Sequence, residues 1–500
     1  MAMRKGGRVA GCVLVINGVN LCLILVLGLT SRDYTQLILY FMLYMDILIV
    51  AMWLYPTSWK SIDALDPFLV AIGIYTLYAW SAAWAAVILY PEYGPIMSIY
   101  YRAVVLGLVG FVLGYRRVRN STGGLSRKLS EFRLDVNASR FLKLSWFLAI
   151  VLAVLAAGHL SKLFNIDEIL PYTETAARSR LERTATSGLI EYLNETTISL
   201  MICALLVSSF MKRRTSILAF ALVGAYVVPT IMAGSKTPLV TLVILVAVYR
   251  NYVLKPLRPV HMAALGLAIY VFATLFNNVR NTADLGEMYS EAVYLVKTEP
   301  VILIPAFSGE FSNPPRTLMN IIQGIQSGKI GFSNGYTYFT ELLTFVPRML
   351  YPARPLPLAE FHMQLFNPQE YARGHTIAFF IPTEGYWAFG LPGVVLWMFA
   401  YGTLLSLLYK VFRANKGSGP IVLIYGIVYI PLVVTAMRTG LLGSIKTSLM
   451  DLIPFLLILV LSSRRASSGQ EALCPDVTWA RPGLAATNAV HPKTSVGETR

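Results

Sequence analysis

Several ionisable side chains lie at the ends of long apolar stretches of this sequence, near one predicted level. Glu384 begins one such stretch, Arg438 ends the next, and Arg102 lies a turn or two inside another. Glu191 and Glu195 are four residues apart and so share one helix face. An ionisable group at the centre of a bilayer costs about 2.5–3.5 kcal/mol, which makes these residues candidates for function. The simpler alternative is that Arg102 snorkels to the surface and the glutamates pair with arginines.

Cations are frequent in the segments predicted to lie on the outer side of a membrane. The planar guanidinium of arginine suits the oxygens of a phosphate group. The alternative for the arginines at 178–183 is that they form exposed ion pairs with Glu174 and Glu182, which contribute little. The outer-side cations are Arg178, Arg180, Arg183, Lys236, Arg280, Arg348, Arg354 and Arg438.

A general acid or base must be a titratable group within hydrogen-bond reach of the reacting atom. The candidates are His375 and Glu384, with Glu310 or Glu341 as further possibilities. His362 and His375 lack the helical spacing to a carboxylate that metal-binding motifs show. The sequence therefore predicts no tightly held metal.

The elements that would position these residues are membrane helices. Hydrophobic residues make up 56% of the chain, charged residues only 14%, and the mean hydropathy is +0.60, whereas soluble domains have about 25% charged residues. A helix needs about 20 apolar residues to span the hydrocarbon, and about twelve such stretches occur. They are residues 9–29, 35–55, 67–90, 96–115, 141–163, 189–211, 215–233, 238–254, 260–277, 382–408, 420–437 and 447–463.

The net charge of +16 is distributed unevenly along the chain. If the N-terminus is cytoplasmic, the even-numbered turns hold most of the basic residues, including Arg116 to Arg140 and Lys212-Arg213-Arg214. The short odd-numbered turns hold few, which is the pattern of the positive-inside rule. The charge thus predicts orientation, with both termini cytoplasmic, and not nucleic-acid binding.

The longest segment between apolar stretches is residues 278–381, which follows the ninth and precedes the tenth. It has seven Lys or Arg and eight acidic residues and is rich in aromatics, so we expect it to pack. Asn313-Pro314-Pro315, an apolar stripe from Leu318 to Ile325, and Gly328 predict an amphipathic helix that begins at the prolines. A second helix is predicted for Tyr336–Phe345, ending before Pro347.

These features predict an all-α polytopic membrane protein with a large, partly helical extracytoplasmic loop between helices 9 and 10. The membrane domain would cover residues 1–463, with outer loops at about 164–188 and 278–381. Residues 464–500, rich in Ser, Gly, Ala and Thr, are predicted to be a disordered cytoplasmic tail.

Three segments carry a resemblance to a known family. They are the turn Ala233–Thr237, the stretch Phe345–Pro352 with its Pro347-Arg348 pair, and His375-Thr376 followed by Pro382–Gly393. In this order they resemble the bacterial O-antigen or oligosaccharide repeat-unit polymerases, often called Wzy-type. Lys236 stands where that family more often has arginine. The resemblance covers roughly residues 230–400 by motif.

This resemblance implies a polymerase with a GT-C-like fold in the bacterial cytoplasmic (inner) membrane. It would transfer a growing glycan from undecaprenyl pyrophosphate onto a lipid-linked repeat unit at the outer face, without a nucleotide sugar or another cofactor. The product would be O-antigen, capsule or exopolysaccharide, and the partners would be the lipid-linked glycan, membrane lipid, a flippase and a chain-length regulator. The implied catalytic residues are Glu384, His375 and Arg348, and the pyrophosphate-binding residues are Arg178, Arg180, Arg183, Lys236, Arg280 and Arg438.

Sugar rings could also stack on aromatic side chains of the long loop, although a role in the loop core or at the membrane interface explains them equally well. They are Phe332, Tyr336, Tyr338, Phe339, Tyr351, Phe361, Phe366 and Tyr371.

Other functions are compatible with the same stretches. An O-antigen ligase-like transferase would share the architecture, and a scaffold protein for envelope assembly would need no chemistry. A transporter or flippase of lipid-linked oligosaccharide predicts charged or broken helices at mid-membrane and an internal repeat. No repeat is visible in the sequence.

Overall fold

The computed structural model describes a set of helices. The described residues are 32–53, 63, 65–89, 91–121, 128, 136–163, 185–210, 224, 237–279, 285–299, 303–304, 309–346, 350–372, 377–416 and 418–463. The helices are α1 (Arg32–Trp53), α2 (Pro67–Leu89), α3 (Met97–Asn120), α4 (Ala138–Leu163), α5 (Ala185–Phe210), α6 (Thr237–Tyr249), α7 (Pro259–Val279), α8 (Leu285–Thr298), α9 (Gly309–Gln326), α10 (Tyr336–Leu343), α11 (Leu358–Phe366), α12 (Pro368–Ala372), α13 (Ile381–Asn415), α14 (Gly419–Tyr429) and α15 (Ala436–Ser462).

Four helical runs within these ranges are long and apolar enough to cross a membrane, which supports a membrane protein. They are Pro67–Ile88, Glu92–Asn120, Ile381–Asn415 and Gly419–Ser462. Shorter apolar helices are Gln36–Met52, Thr196–Ser208, Leu239–Leu254 and Val260–Phe276. The count of twelve spans stays a prediction, and its segments at 9–29 and 215–233, like the tail from 464, lie outside the described residues.

At one end of the bundle, the carboxylate of Asp63, just before α2, joins several chain segments through a network of hydrogen bonds. Its side chain accepts hydrogen bonds from the hydroxyls of Tyr409 in α13 at 2.7 Å and of Tyr252 after α6 at 2.8 Å. The amide of Asn251 donates to the same carboxylate at 3.1 Å. Three chain segments far apart in sequence therefore end at the same place.

A second carboxylate at this end holds α3. Buried Asp66 accepts from the Tyr115 hydroxyl at 2.6 Å and pairs with Arg119 at 3.1 Å. Lys410 of α13 donates to the carbonyl of Val118 at 2.7 Å. The turns before α2, after α3, after α6 and after α13 therefore lie together, as expected for turns that the charge pattern assigns to one side.

The contact between α3 and α13 depends on glycine. A Cβ atom built on Gly114 would lie 2.1 Å from the carbonyl oxygen of Phe399, and one on Gly402 would lie 2.3 Å from that of Phe111. Small residues allow membrane helices to approach at backbone distance, and dispersion contacts then drive their association. The backbones of α3 and α13 are therefore in direct contact along this stretch.

Alanine at Gly114 should separate this pair, because its methyl group would overlap the backbone oxygen of Phe399. We expect a loss of about 1–3 kcal/mol in unfolding free energy, the usual cost of overpacking. Gly73 is the matched control, because its α2 position has nothing within 4 Å of an added Cβ. Thermal unfolding in detergent measures both variants. Equal melting temperatures for Gly114→Ala and Gly73→Ala would contradict the glycine contact.

The predicted amphipathic helix of the long loop exists as α9, but its predicted start is wrong. It begins at Gly309, before Asn313, and both prolines lie inside it. Tertiary contacts hold its first turn: the Phe311 carbonyl accepts from Ser81 at 3.0 Å, and the Phe311 ring packs 5.1 Å from that of Tyr78. Proline has no backbone N–H, so Pro315 leaves the carbonyl of Phe311, four residues earlier, without its usual helical donor, and Ser81 donates to that carbonyl instead.

The rest of the α9 prediction is confirmed. Leu318, Ile321 and Ile322 are fully buried on one face. The helix ends at Gln326, and Gly328 follows with φ +72°, a left-handed conformation that favours glycine. The second predicted helix is α10, which ends at Leu343, two residues earlier than expected and before Pro347.

Candidate functional site

The conspicuous motif at 382–393 forms a break in α13. Phe389 and Gly390 are non-helical, and Gly390 has φ +65° and ψ −148°. The two sides of the break touch through glycine: a Cβ on Gly393 would lie 2.1 Å from the Gly385 carbonyl oxygen, and one on Gly385 2.5 Å from the Gly393 oxygen. The short segment 381–388 therefore packs directly against the start of the long segment.

A second break occurs at Gly440, where φ is +74° and ψ is 175°. Gly440 divides the helical run Gly419–Ser462 into a near arm before it and a far arm after it. The near arm corresponds to the predicted span 420–437 and the far arm to the predicted span 447–463. The far arm ends where the Ser462 carbonyl accepts from the backbone of Asn137 at 3.0 Å, before α4. The near arm begins just after α13 ends. The near arm thus leads to Gly440 from the end of the bundle that contains the Asp63 network, where Tyr409 of α13 binds Asp63.

Glu384 joins the two breaks. Its carboxylate is 1% exposed and accepts from the backbone N–H of Leu441 at 2.9 Å and from the indole N–H of Trp397. Leu441 begins the far arm, so Glu384 satisfies a free N–H at a helix N-terminus, where negative charge is favourable. The Phe379 N–H donates to the Arg438 carbonyl at 2.6 Å, which gives a second hydrogen bond between the start of α13 and the Gly440 break.

A second buried carboxylate, Glu341 of α10, lies beside the same break. Its Oε2 accepts from the Leu358 N–H at 2.9 Å, and a Cβ on Gly443 would lie 3.8 Å from its Oε1. Burial raises the pKa of Glu341 above that of an ordinary carboxyl group, while Lys446 and Arg354 oppose that shift. The long loop therefore places a carboxylate with a raised pKa next to the arm that Glu384 caps.

Aromatic side chains pack the loop helices α10 and α11 against α13. Tyr338 of α10 stacks on Trp397, with centroids 4.2 Å apart and planes 18° apart. Phe361 stacks on Trp387 at 5.6 Å, and burial raises the pKa of the Tyr338 hydroxyl. Tyr338 and Phe361 therefore use a ring face in protein packing, as the loop-core interpretation expects. Of the predicted sugar-stacking set, Phe332, Tyr336, Phe339, Tyr351 and Phe361 are exposed.

Arg438 is the predicted pyrophosphate-binding residue that the structure places at this site. It lies two residues before Gly440 and its side chain is partly exposed. Arg354 instead donates to the carbonyls of Thr344 at 2.7 Å and Val346 at 2.9 Å, a structural role in the loop. Arg102 is exposed and donates to the Tyr40 hydroxyl at 3.3 Å, which agrees with the snorkelling alternative.

The side chains of the other predicted site residues are not described. Glu191, Glu195 and Glu310 lie on helices, but their side chains are outside the description. The residues wholly outside it are Arg178, Arg180, Arg183, Lys236, Arg280, Arg348 and His375. Their roles stay predictions.

His362 is fully buried, and neither ring nitrogen has a hydrogen-bond partner among the described residues. Its ring stacks on Phe366 at 4.7 Å. Burial, aided by Lys329, lowers the pKa of His362 to about 3, so the imidazole is neutral near pH 7. Within the described ranges, no group of three His, Cys, Asp or Glu side chains could hold a metal ion.

Sequence reasoning missed Trp397, Gly440 and Leu441 as parts of the site. Trp397 is 13 residues from Glu384, which in a continuous helix would be about 20 Å away. The glycines at 385, 390 and 393 were the available signal for a break. The structure shows Glu384 as the acceptor for the N–H groups of Leu441 and Trp397, and its role as a base stays a prediction.

The site as described consists of two broken membrane helices, a capping carboxylate, a second carboxylate from the loop and a partly exposed arginine. It lies at the end of the bundle opposite the Asp63 network, beside the long loop. Comparison of the chain with known family profiles, with characterised proteins and with solved structures finds no match.

Proposed function

We propose that this protein polymerises undecaprenyl-pyrophosphate-linked oligosaccharide repeat units at the outer face of the bacterial cytoplasmic membrane. The observation that carries the proposal is the pair of helix breaks at Gly390 and Gly440, joined by Glu384 beside Arg438 and the long loop. This end of the bundle offers apolar helices for a lipid tail and polar groups for its head. The proposed product is O-antigen, capsule or exopolysaccharide.

The reaction breaks the glycosidic C–O bond to pyrophosphate and forms a new one to a hydroxyl of the acceptor repeat unit. The hydroxyl proton passes to a base, for which His375 remains the candidate. Negative charge develops on the leaving pyrophosphate, where fixed cations stabilise the transition state. Arg438 is the cation at the break, and the sequence-predicted cations Arg178, Arg180, Arg183, Lys236, Arg280 and Arg348 would complete the pocket.

Glu384 acts in this proposal as a positioning residue. It caps the far arm at Leu441, and the backbone of Arg438 is held by Phe379. Arg438 therefore sits on backbone fixed at two points, which limits the reorganisation needed when charge develops. No nucleotide sugar, metal or other cofactor takes part.

The position of the Gly390 break argues for a transferase over a transporter. Transporters place broken helices and their binding sites near the bilayer midplane. Gly390 is near the start of α13, about 30 Å of helix from Lys410, which lies at the opposite end of the bundle. A ligase-like transferase shares this geometry and is distinguished from a polymerase by its product.

Reconstitution with purified lipid-linked repeat units tests the proposal. We expect a ladder of glycan lengths, lowered by at least about tenfold in Arg438→Ala, a loss of about 1.4 kcal/mol in transition-state stabilisation. Arg102→Ala is the matched control, because this exposed arginine contacts Tyr40 of α1 and not Glu384, Trp397 or Leu441. A single transfer to another acceptor would indicate a ligase. Lipid translocation without a covalent product would indicate a flippase.

A further inference from the structure

Two helices of the long loop, α9 and α10, have opposite polarity. In α9 the apolar stripe is buried: Leu318, Ile321 and Ile322 are all 0% exposed. In α10 the apolar residues face outward instead, with Tyr336 67%, Phe339 59% and Leu342 51% exposed. Because these residues are three apart, they lie along one side of the helix.

The buried side of α10 is polar. Thr337, Thr340 and Glu341 are 3%, 9% and 5% exposed. Each has an internal partner: Thr337 pairs with Ser333 at 2.8 Å, Thr340 bonds the Thr337 carbonyl at 2.9 Å and Glu341 accepts from the loop. A helix in water would bury its apolar side, since that removes apolar surface from water. The inverted arrangement is the one expected for a helix whose surroundings are apolar.

The position of α10 along the bundle axis agrees with apolar surroundings for this helix. Tyr338 stacks on Trp397 of α13, and Trp397 is 13 residues, or about 20 Å of helix, from Lys410. Lys410 binds the carbonyl at the end of α3, at the polar end of the bundle. The hydrocarbon core of a bilayer is about 30 Å thick, so α10 lies within its opposite half. Leu396, next to Trp397, is exposed at the same level.

We propose that α10 is immersed in the lipid leaflet on the side of the long loop, with Tyr336, Phe339 and Leu342 against acyl chains. This face carries no charged side chain, and Leu350 and Tyr351 after the helix are also exposed. The opposite face holds Glu341 against α15. The helix is thus the boundary between bilayer lipid and the buried carboxylates, whatever reaction the protein catalyses.

Site-specific fluorescence quenching in vesicles tests this immersion. Phe339→Cys is made in full-length protein whose four cysteines are replaced by alanine, labelled with bimane and reconstituted in phosphatidylcholine. Gln326→Cys, at the exposed end of α9, is the matched control. Acyl-chain nitroxide lipids in both leaflets should quench the label at 339 at least about threefold more than that at 326. Iodide on both sides should give the reverse order.

A label at Leu342→Cys provides an independent reading of the same face and should behave like that at 339. Quenching of both labels by iodide, to the extent seen at 326, would place α10 in water and overturn the proposal. Protection of both from iodide and from lipid nitroxide would also overturn it, because the face would then be covered by protein, such as a second copy of this chain.

Discussion

Replacement of Glu384 by alanine should reduce polymer formation by at least about 100-fold, equivalent to about 2.7 kcal/mol of transition-state stabilisation. The substitution leaves the buried N–H groups of Leu441 and Trp397 without their common acceptor. An unsatisfied buried donor costs about 1–3 kcal/mol. The two breaks should then separate, and Arg438 should lose its position. Polymer length and yield from reconstituted protein, with melting temperature in detergent, measure both effects.

Glu384→Gln distinguishes positioning from chemistry. The hydrogen bonds from Leu441 and Trp397 end on the same carboxylate oxygen, Oε2, and the amide oxygen of glutamine can accept them in the same place. We therefore expect Glu384→Gln to retain a near-normal melting temperature and polymer yield within about tenfold of the unchanged protein. Normal stability combined with complete loss of polymer would instead assign Glu384 a direct role in proton transfer.

Alanine at Gly440 should have a comparably large effect, through backbone conformation. Gly440 has φ +74°, and an added Cβ would lie 2.1 Å from Glu384 Oε1. At φ +74° and ψ 175°, a conformation that essentially only glycine adopts, a residue with a Cβ costs about 1–3 kcal/mol before any clash is counted. The overlap with a buried carboxylate adds to this cost, so we expect a lower melting temperature and loss of polymer together.

Gly443 supplies a control three residues away on the same arm. An added Cβ there meets the Thr439 Cβ at 3.5 Å and Glu341 Oε1 at 3.8 Å, which are ordinary contacts. Gly443→Ala should therefore leave polymer formation unchanged and raise helix stability by about 0.5–1 kcal/mol, the usual advantage of alanine over glycine within a helix. Equal behaviour of Gly440→Ala and Gly443→Ala would contradict a special conformation at Gly440.

Local features of the sequence were sufficient for much of the helical architecture. The apolar stripe at Leu318 predicted the buried face of α9, and Gly328 predicted its end, because periodicity and glycine conformation act over a few residues. The uneven charge distribution predicted that the turns before α2 and after α3 share a side. The structure brings these turns together through Asp66 and Arg119.

Other features depend on contacts between residues far apart in sequence. The first turn of α9, which begins at Gly309, is in contact with Ser81 of α2, which no local pattern around Asn313 could reveal. From the sequence, the outward apolar face of α10 looks the same as a buried one. Periodicity shows that apolar residues share one side of a helix, but it does not show what that side packs against.

By itself the sequence determined that the chain is rich in apolar helices, where many of them run, and that Glu384 begins one beside a glycine-rich motif. Only the tertiary structure decided which groups Glu384 contacts. Glu384 reaches the indole N–H of Trp397 because the break at Gly390 folds the start of α13 against the rest of that helix. It reaches the N–H of Leu441 because the break at Gly440 leaves that group without a partner in its own helix. Hydrogen bonds of this kind form between chain segments that folding brings together, so their partners are set by three-dimensional packing and not by spacing.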